Sequence, residues 1–145
     1  MSLYVPQMYP TSHSAGDAGG QNPLSSTSYY FGRWSIFDPD TSYATHRTEV
    51  MHSQTLVAAQ IMVIVAGLSG NPASNVTFSL RVNDATDFTI GTMVFSNPGA
   101  SIETSSLSIP LAVGDDFVIK FATPNWSSQT ATVVFYSATL WWRRT

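Results

Sequence analysis

Cysteine is absent from this 145-residue chain, which excludes disulfide staples and thiolate metal sites alike. That absence suits folding in a reducing compartment. Charge is nearly as scarce. Asp, Glu, Lys and Arg together make up 10% of the residues, against about 25% in an ordinary soluble domain. Lys120 is the only lysine, and Glu49 and Glu103 are the only glutamates. A surface dressed mainly with Ser, Thr, Asn and Gln repels copies of itself weakly, so the composition points to a protein that works inside an assembly. Net charge is −3, and no basic run exceeds Arg143-Arg144. A phosphate-binding stripe needs several clustered cations, so no nucleic-acid partner is expected. Long apolar runs are missing too. Leu56 to Leu68 is the most apolar stretch but is interrupted by Gln60, and it falls short of the roughly 20 residues of a membrane-spanning helix. No membrane partner is expected. No basic segment followed by an apolar core opens the chain, so no secretory signal is expected either.

What the sequence does contain is alternation. In Val76-Thr77-Phe78-Ser79-Leu80-Arg81-Val82 apolar and polar residues take turns, the period of a strand with one face in a core and the other in water. Phe117 to Ala122 and Thr130 to Trp142 carry the β-branched and aromatic residues favoured on pleated surfaces. Connectors use turn chemistry: Asp38-Pro39-Asp40, Gly70-Asn71-Pro72, Asn97-Pro98-Gly99 and Thr123-Pro124-Asn125 pair a restricted Pro with turn-tolerant residues. Asn83-Asp84 divides two runs at hairpin spacing. About eight strands follow, near 29–36, 45–51, 55–66, 76–82, 87–95, 101–109, 117–122 and 130–142. No stretch of ten or more residues shows a capped helical period. The expected fold is all-β, an antiparallel sandwich or jelly roll of about eight strands spanning residues 29–145.

Residues 1–28 are rich in Pro, Gly, Ser and Thr and lack an apolar period, which predicts an extended N-terminal arm without regular structure. Leu3, Tyr4, Val5, Met8 and Tyr9 form an apolar cluster at its tip, suited to binding a neighbouring subunit or a capsid. Fully extended, such an arm would reach roughly 90 Å. The stretch Thr55–Ala66 is apolar on both sides, with Leu56, Ala58, Met62 and Ile64 on one and Val57, Ala59, Ile61 and Val63 on the other. One side can pack across the sandwich. The other can pack against a second copy around a symmetry axis, or under the chain's own loops or arm. Val57, Ile61, Met62, Val63 and Trp142 are therefore the expected interface residues.

From Gln54 to Trp142 the order of segments resembles the jelly-roll domains of tailed-phage virion proteins, which are similar in architecture to tumour-necrosis-factor and C1q-like heads. The resemblance is carried by Arg81-Val82-Asn83 ending a strand, then Thr-rich and Ser-rich strands. After these come the Ile109 to Asp115 turn with its Ala-Val-Gly-Asp, a strand, a Thr-Pro loop and a long aromatic C-terminal strand. It implies a homotrimer with one sheet of each subunit facing a threefold axis. It further implies a capsid decoration (cement) protein made in the host cytoplasm, bound to the major capsid protein on the outer surface of the virion, and acting without a cofactor or catalysis. The alternative within the resemblance is the receptor-binding head of a fibre or spike that recognises surface glycan.

Residues that could carry chemistry are few. His46 and His52 are six positions apart and lack a third ligand on their face, and His13 lies in the expected arm. Neither a Gly-x-Ser-x-Gly elbow, a His-Glu-x-x-His pair nor a phosphate loop occurs. Asp38 and Asp40 read as a turn, and Asp115 and Asp116 as a loop that could touch an ion. Trp141 and Trp142 must point to opposite faces of the last strand, one of them filling the core. Trp126, in a loop beside Asn and Ser, is the candidate glycan contact; the other reading is a plug over the end of the sandwich. Catalytic and metal-binding residues are not expected.

Overall fold

Val76, Phe78, Leu80 and Val82 all lie buried, and their alternation builds one strand of a two-sheet sandwich. The computed structural model describes residues 8–32, 39–69, 75–126 and 130–145. Its elements in chain order are β1 (Met8–Gln21), β2 (Ser28–Phe31), α1 (Tyr43–His46), β3 (Thr48–Glu49), β4 (Gln54–Ser69), β5 (Val76–Val82), β6 (Thr86–Met93), β7 (Gly99–Thr104), β8 (Ile109–Leu111), β9 (Asp116–Ala122) and β10 (Thr130–Arg144). The first sheet runs β1-β10-β4-β7, with β8 beside β4; the second runs β2-β9-β5-β6, with β3 beside β9. Every pairing is antiparallel. From β4 onward the chain passes repeatedly between the sheets, so that β10 lies between the first strand and the fourth, a jelly-roll order. No helix among the described residues is long and apolar enough to cross a membrane.

Several expected segments divide. The run near 45–51 yields the short α1 and the two-residue β3, and the run near 101–109 yields β7 and β8. The Asn83-Asp84 turn forms as expected, both residues taking positive φ (53° and 50°) between β5 and β6. The Ala-Val-Gly-Asp turn also forms. Gly114 has φ of 90°, a conformation open to glycine at little steric cost, and the Asp115 carboxylate accepts from the Ala112 N–H at 2.8 Å.

The expected irregular arm is corrected at its core. Met8–Gln21 is a strand, paired with β10 from Met8 opposite Arg143 to Gly16 opposite Phe135. The sequence hid it because its inward positions are Tyr9, Thr11, His13 and Ala15, which give no apolar period. Polar atoms satisfy one another there instead: Trp142 Nε1 donates to Thr11 Oγ1 at 2.8 Å, and Thr11 Oγ1 lies 3.0 Å from His13 Nε2. Pro10 is tolerated because β1 is an edge strand. Residues 1–7, with Leu3, Tyr4 and Val5, lie outside the described residues.

Between the sheets sits an aromatic centre. Phe121 on β9 stacks on Tyr136 of β10 at 4.9 Å, on Tyr29 of β2 at 5.2 Å and on Phe78 of β5 at 5.5 Å between ring centroids. Phe117 and Trp142 meet at 5.1 Å nearer one end. Aromatic pairs in such geometries add about 0.5–1.5 kcal/mol each beyond area burial.

Candidate interaction surface

Strand β4 sets which side chains face outward on the first sheet. Leu56 is buried, yet Ala59, Ile61, Val63 and Val65 are buried as well, which a regular two-residue period forbids. The register explains it. Trp141 pairs with Ala58 and Trp142 with Leu56, leaving Val57 as an extra residue. This is a β-bulge. Its Val57 carbonyl accepts from the Leu107 N–H at 3.1 Å. Beyond the bulge the odd residues of β4 point into the core, while Gln60, Met62 and Ile64 point out.

The expected interface set is corrected accordingly. Ile61, Val63 and Trp142 are each 0% exposed and belong to the chain's own core, because strand parity turns them inward. Val57 is half-buried at the bulge. Of the five residues, Met62 alone is exposed, at 43%, with Ile64 beside it at 40%. Of the tryptophan pair, Trp141 takes the outer face.

Register then places these residues in rows across the four strands. Pro10, Trp141 and Ala58 are neighbours in one row, and Ser12, Thr139, Gln60 and Glu103 form the next outward row. Ser14, Ser137, Met62 and Ser101 follow, then Gly16, Phe135, Ile64 and Gly99. Among the described side chains in these rows Glu103 is the one charge, and it accepts from Gln60 Nε2 at 2.9 Å. Two hollows lie on this face. One, of about 620 Å³, runs between Met8 and Trp141 on one side and Glu103 to Ser105 on the other. The second, of about 440 Å³, lies between Met62, Ile64 and Pro98 to Ser101.

The outer face of the second sheet has the opposite character. Arg81 binds Asp84 and Asp87, each at 2.9 Å, and Lys120 also binds Asp87. Burial works against the charged form of Asp87, but hydrogen bonds from Lys120 and Arg81 outweigh it and hold the carboxyl below its ordinary value. The α1 turn covers part of this face. Tyr43 packs edge-on against Tyr30, and its hydroxyl donates to Asp116, which Arg47 also approaches at 3.4 Å. Burial, with this hydrogen bond, pushes the Tyr43 hydroxyl pKa up.

The other candidate residues are dispersed. His46 is buried on α1 with Nε2 3.3 Å from Asp40 Oδ1. His13 and His52 line a hollow of about 180 Å³ between β1 and the segment after β3, together with Glu49. No group of three or more His, Asp or Glu among the described residues is arranged to hold a metal ion. Asp115 is held by Asn83 Nδ2 at 2.8 Å and by the Ala112 N–H, and the Asn83 bond, the larger effect, lowers its pKa along with the backbone bond. Trp126 is 6% exposed, with its ring 6.0 Å from Phe95 and its backbone N–H donating to Ser25 Oγ at 2.6 Å. It plugs the sandwich end, the other of the two readings its sequence setting offered, and is too buried to serve as the candidate glycan contact. Tyr9 is half-buried, donates its hydroxyl to Gln54 and lies under the Arg144 guanidinium at 5.6 Å. Met8 is 60% exposed on the outer face.

Trp141, Phe135 and Ile64 were absent from the expected interface. Their signal was Gln60, the single polar residue in the apolar run, which marks the solvent side of β4.

No protein-family model matches this sequence, and no curated protein matches it. Among solved structures, one described as "Structure of infectious bursal disease virus Gx strain" aligns over 97% of this chain and 36% of that one, at 12% identity and a TM-score of 0.21. This chain thus spans about a third of the length of that viral chain, and the likeness is too slight to define a family.

Proposed function

We propose that this chain is a structural virion protein, a homotrimeric capsid decoration protein whose β1-β10-β4-β7 sheet is turned toward the threefold axis. One observation carries the reading: the outer face of that sheet presents Met62, Ile64, Phe135 and Trp141 with few charges, Glu103 beside Gln60 and Arg143 opposite Met8 at one end, while the ion pairs gather on the opposite sheet. A face with so few charges costs little to take out of water and opposes close contact between copies little. The jelly-roll strand order, with these four strands in one sheet, supports the same arrangement.

In this role the protein acts through buried surface alone. Each trimer presents the same capsid-binding surface in triplicate, so contacts that are weak singly to the major capsid protein combine when all engage together. The shell gains resistance to internal pressure without any catalytic step. Because Met8–Gln21 belongs to the sheet, the long tether expected from residues 1–28 is not required. With Trp126 folded into the core, the glycan-receptor reading loses the residue that motivated it.

Sedimentation of the purified protein tests the assembly: three copies of the 15.7-kDa chain are expected. Mixing that trimer with undecorated shells of the virus that encodes it tests the role. Bound trimer and a higher shell-rupture temperature are expected. A monomer, or a trimer that ignores the shells, refutes the proposal.

A further inference from the structure

The outer face of the first sheet carries two charges that have no ion partner among the described residues. Glu103 is exposed on β7 and accepts from the neutral Gln60 amide at 2.9 Å. Arg143 is exposed near the end of β10, opposite Met8. Arg144 beside it turns the other way, over the Tyr9 ring, as alternation along a strand requires. On the second sheet, by contrast, Arg81 and Lys120 are matched to aspartates. Glu103 and Arg143 stand too far apart to pair within one chain. Glu103 lies opposite Gln60, Gln60 opposite Thr139, and Arg143 four residues beyond Thr139. At usual strand spacings that is about 13 Å along β10 and about 10 Å across to β7, or roughly 16 Å in all.

We propose that a second copy of the chain sets its register on this face through an ion pair, Arg143 of one copy to Glu103 of the next. The sheet order favours it. β7 is one edge strand, and β10 stands next to β1 at the other edge. Around a closed ring each copy meets the next head to tail, so unlike edges come together. Glu103 also lines the hollow shared with Ser105 and Trp141, which leaves room beside it for an incoming side chain. Closing the face over either charge alone would be costly, and each supplies the counter-charge that the other needs. The inference rests on the trimer reading and deepens it, naming what fixes the angle between copies that an apolar face alone would leave loose.

Charge reversal tests the pair by sedimentation across a dilution series, with circular dichroism confirming that each variant is folded. Glu103→Arg and Arg143→Glu each oppose like charges, and each should raise the concentration at which the trimer dissociates by roughly tenfold or more. The double variant Glu103→Arg/Arg143→Glu restores the attraction and should return that concentration to near the wild-type value. A wild-type trimer that neither reversal weakens, or that the double reversal fails to restore, overturns the pair and leaves the trimer standing. A monomeric wild type overturns both. Proximity is read directly in Arg143→Lys treated with a carbodiimide, which joins a carboxylate to an amine in contact with it. Peptide mapping should find chains joined through Glu103, a product missing from wild type, whose lone lysine lies on the second sheet. Failure to find that link in a trimer overturns the pair.

Discussion

Adjacent residues on β4 should fail in different ways when replaced by aspartate. Ile61 is 0% exposed in the core, whereas Met62 is 43% exposed on the outer face. Ile61→Asp removes a buried aliphatic worth about 1.5–3 kcal/mol. It also places a carboxylate among apolar side chains, adding several kcal/mol more after relaxation. Against a typical domain stability of about 5–15 kcal/mol, this variant is expected to be largely unfolded. Met62→Asp leaves the isolated sandwich within about 1 kcal/mol of wild type, since exposed substitutions rarely cost more than about 0.5 kcal/mol. In a trimer three such carboxylates are desolvated together, and the cation described on this face, Arg143, lies six positions along β10 from Ser137, the partner of Met62, so association should be lost. The assay pairs urea unfolding by circular dichroism with sedimentation. A folded Ile61→Asp protein would refute the assigned parity. A Met62→Asp protein that keeps the wild-type oligomeric mass would refute the use of this face.

Thr11→Val leaves the buried Trp142 Nε1 without its partner and should cost about 1–3 kcal/mol, read as a lower urea midpoint at unchanged slope, with Thr11→Ser losing less. Trp126→Ala should destabilise by about 3–5 kcal/mol as a large-to-small core change and leave a glycan array blank for both proteins; saturable sugar binding that the variant loses would revive the receptor reading. Asp87 gives an acid signature. Its folded pKa is lowered below the ordinary 3.8, so its contribution is fully present above that value and is lost as pH falls through the lower folded value. Asp87→Asn should remove this part of the acid loss, whereas an identical midpoint profile between pH 5 and pH 2 for both proteins would mean the ion pairs contribute nothing measurable.

The sandwich was legible wherever one face was apolar and the other polar, as in Val76–Val82, and wherever a turn demanded its residues, as at Asn83-Asp84 and Gly114. Strand β1 was illegible for the same reason in reverse. Its inward side is Tyr9, Thr11, His13 and Ala15, the first three engaged by hydrogen bonds with one another and with Trp142 and Gln54 on other strands, so no periodicity announces it. The interface misassignment had a different origin. A doubly apolar strand does not reveal which side is the core, and the bulge at Val57 shifts the parity midway. Leu56 and Ile61, drawn from opposite sets of the simple alternation, consequently lie on the same side. Trp142 was misplaced by the same ambiguity, for two adjacent tryptophans fix opposite directions without saying which is inward. Contrast between the two outer faces was invisible as well, because it depends on which strands share a sheet.

Phe121 touches four rings contributed by three other strands: Tyr29 and, tilted at 6.5 Å, Phe31 on β2, Phe78 on β5 and Tyr136 on β10. A ring so hemmed in cannot rotate by half a turn unless Tyr136 and Phe78 move apart, which means the two layers must separate briefly. Its flip rate by nuclear magnetic resonance is therefore a clock for breathing of the whole sandwich, readable at one residue. Any bound neighbour that stiffens the first layer should slow that clock without coming near the ring.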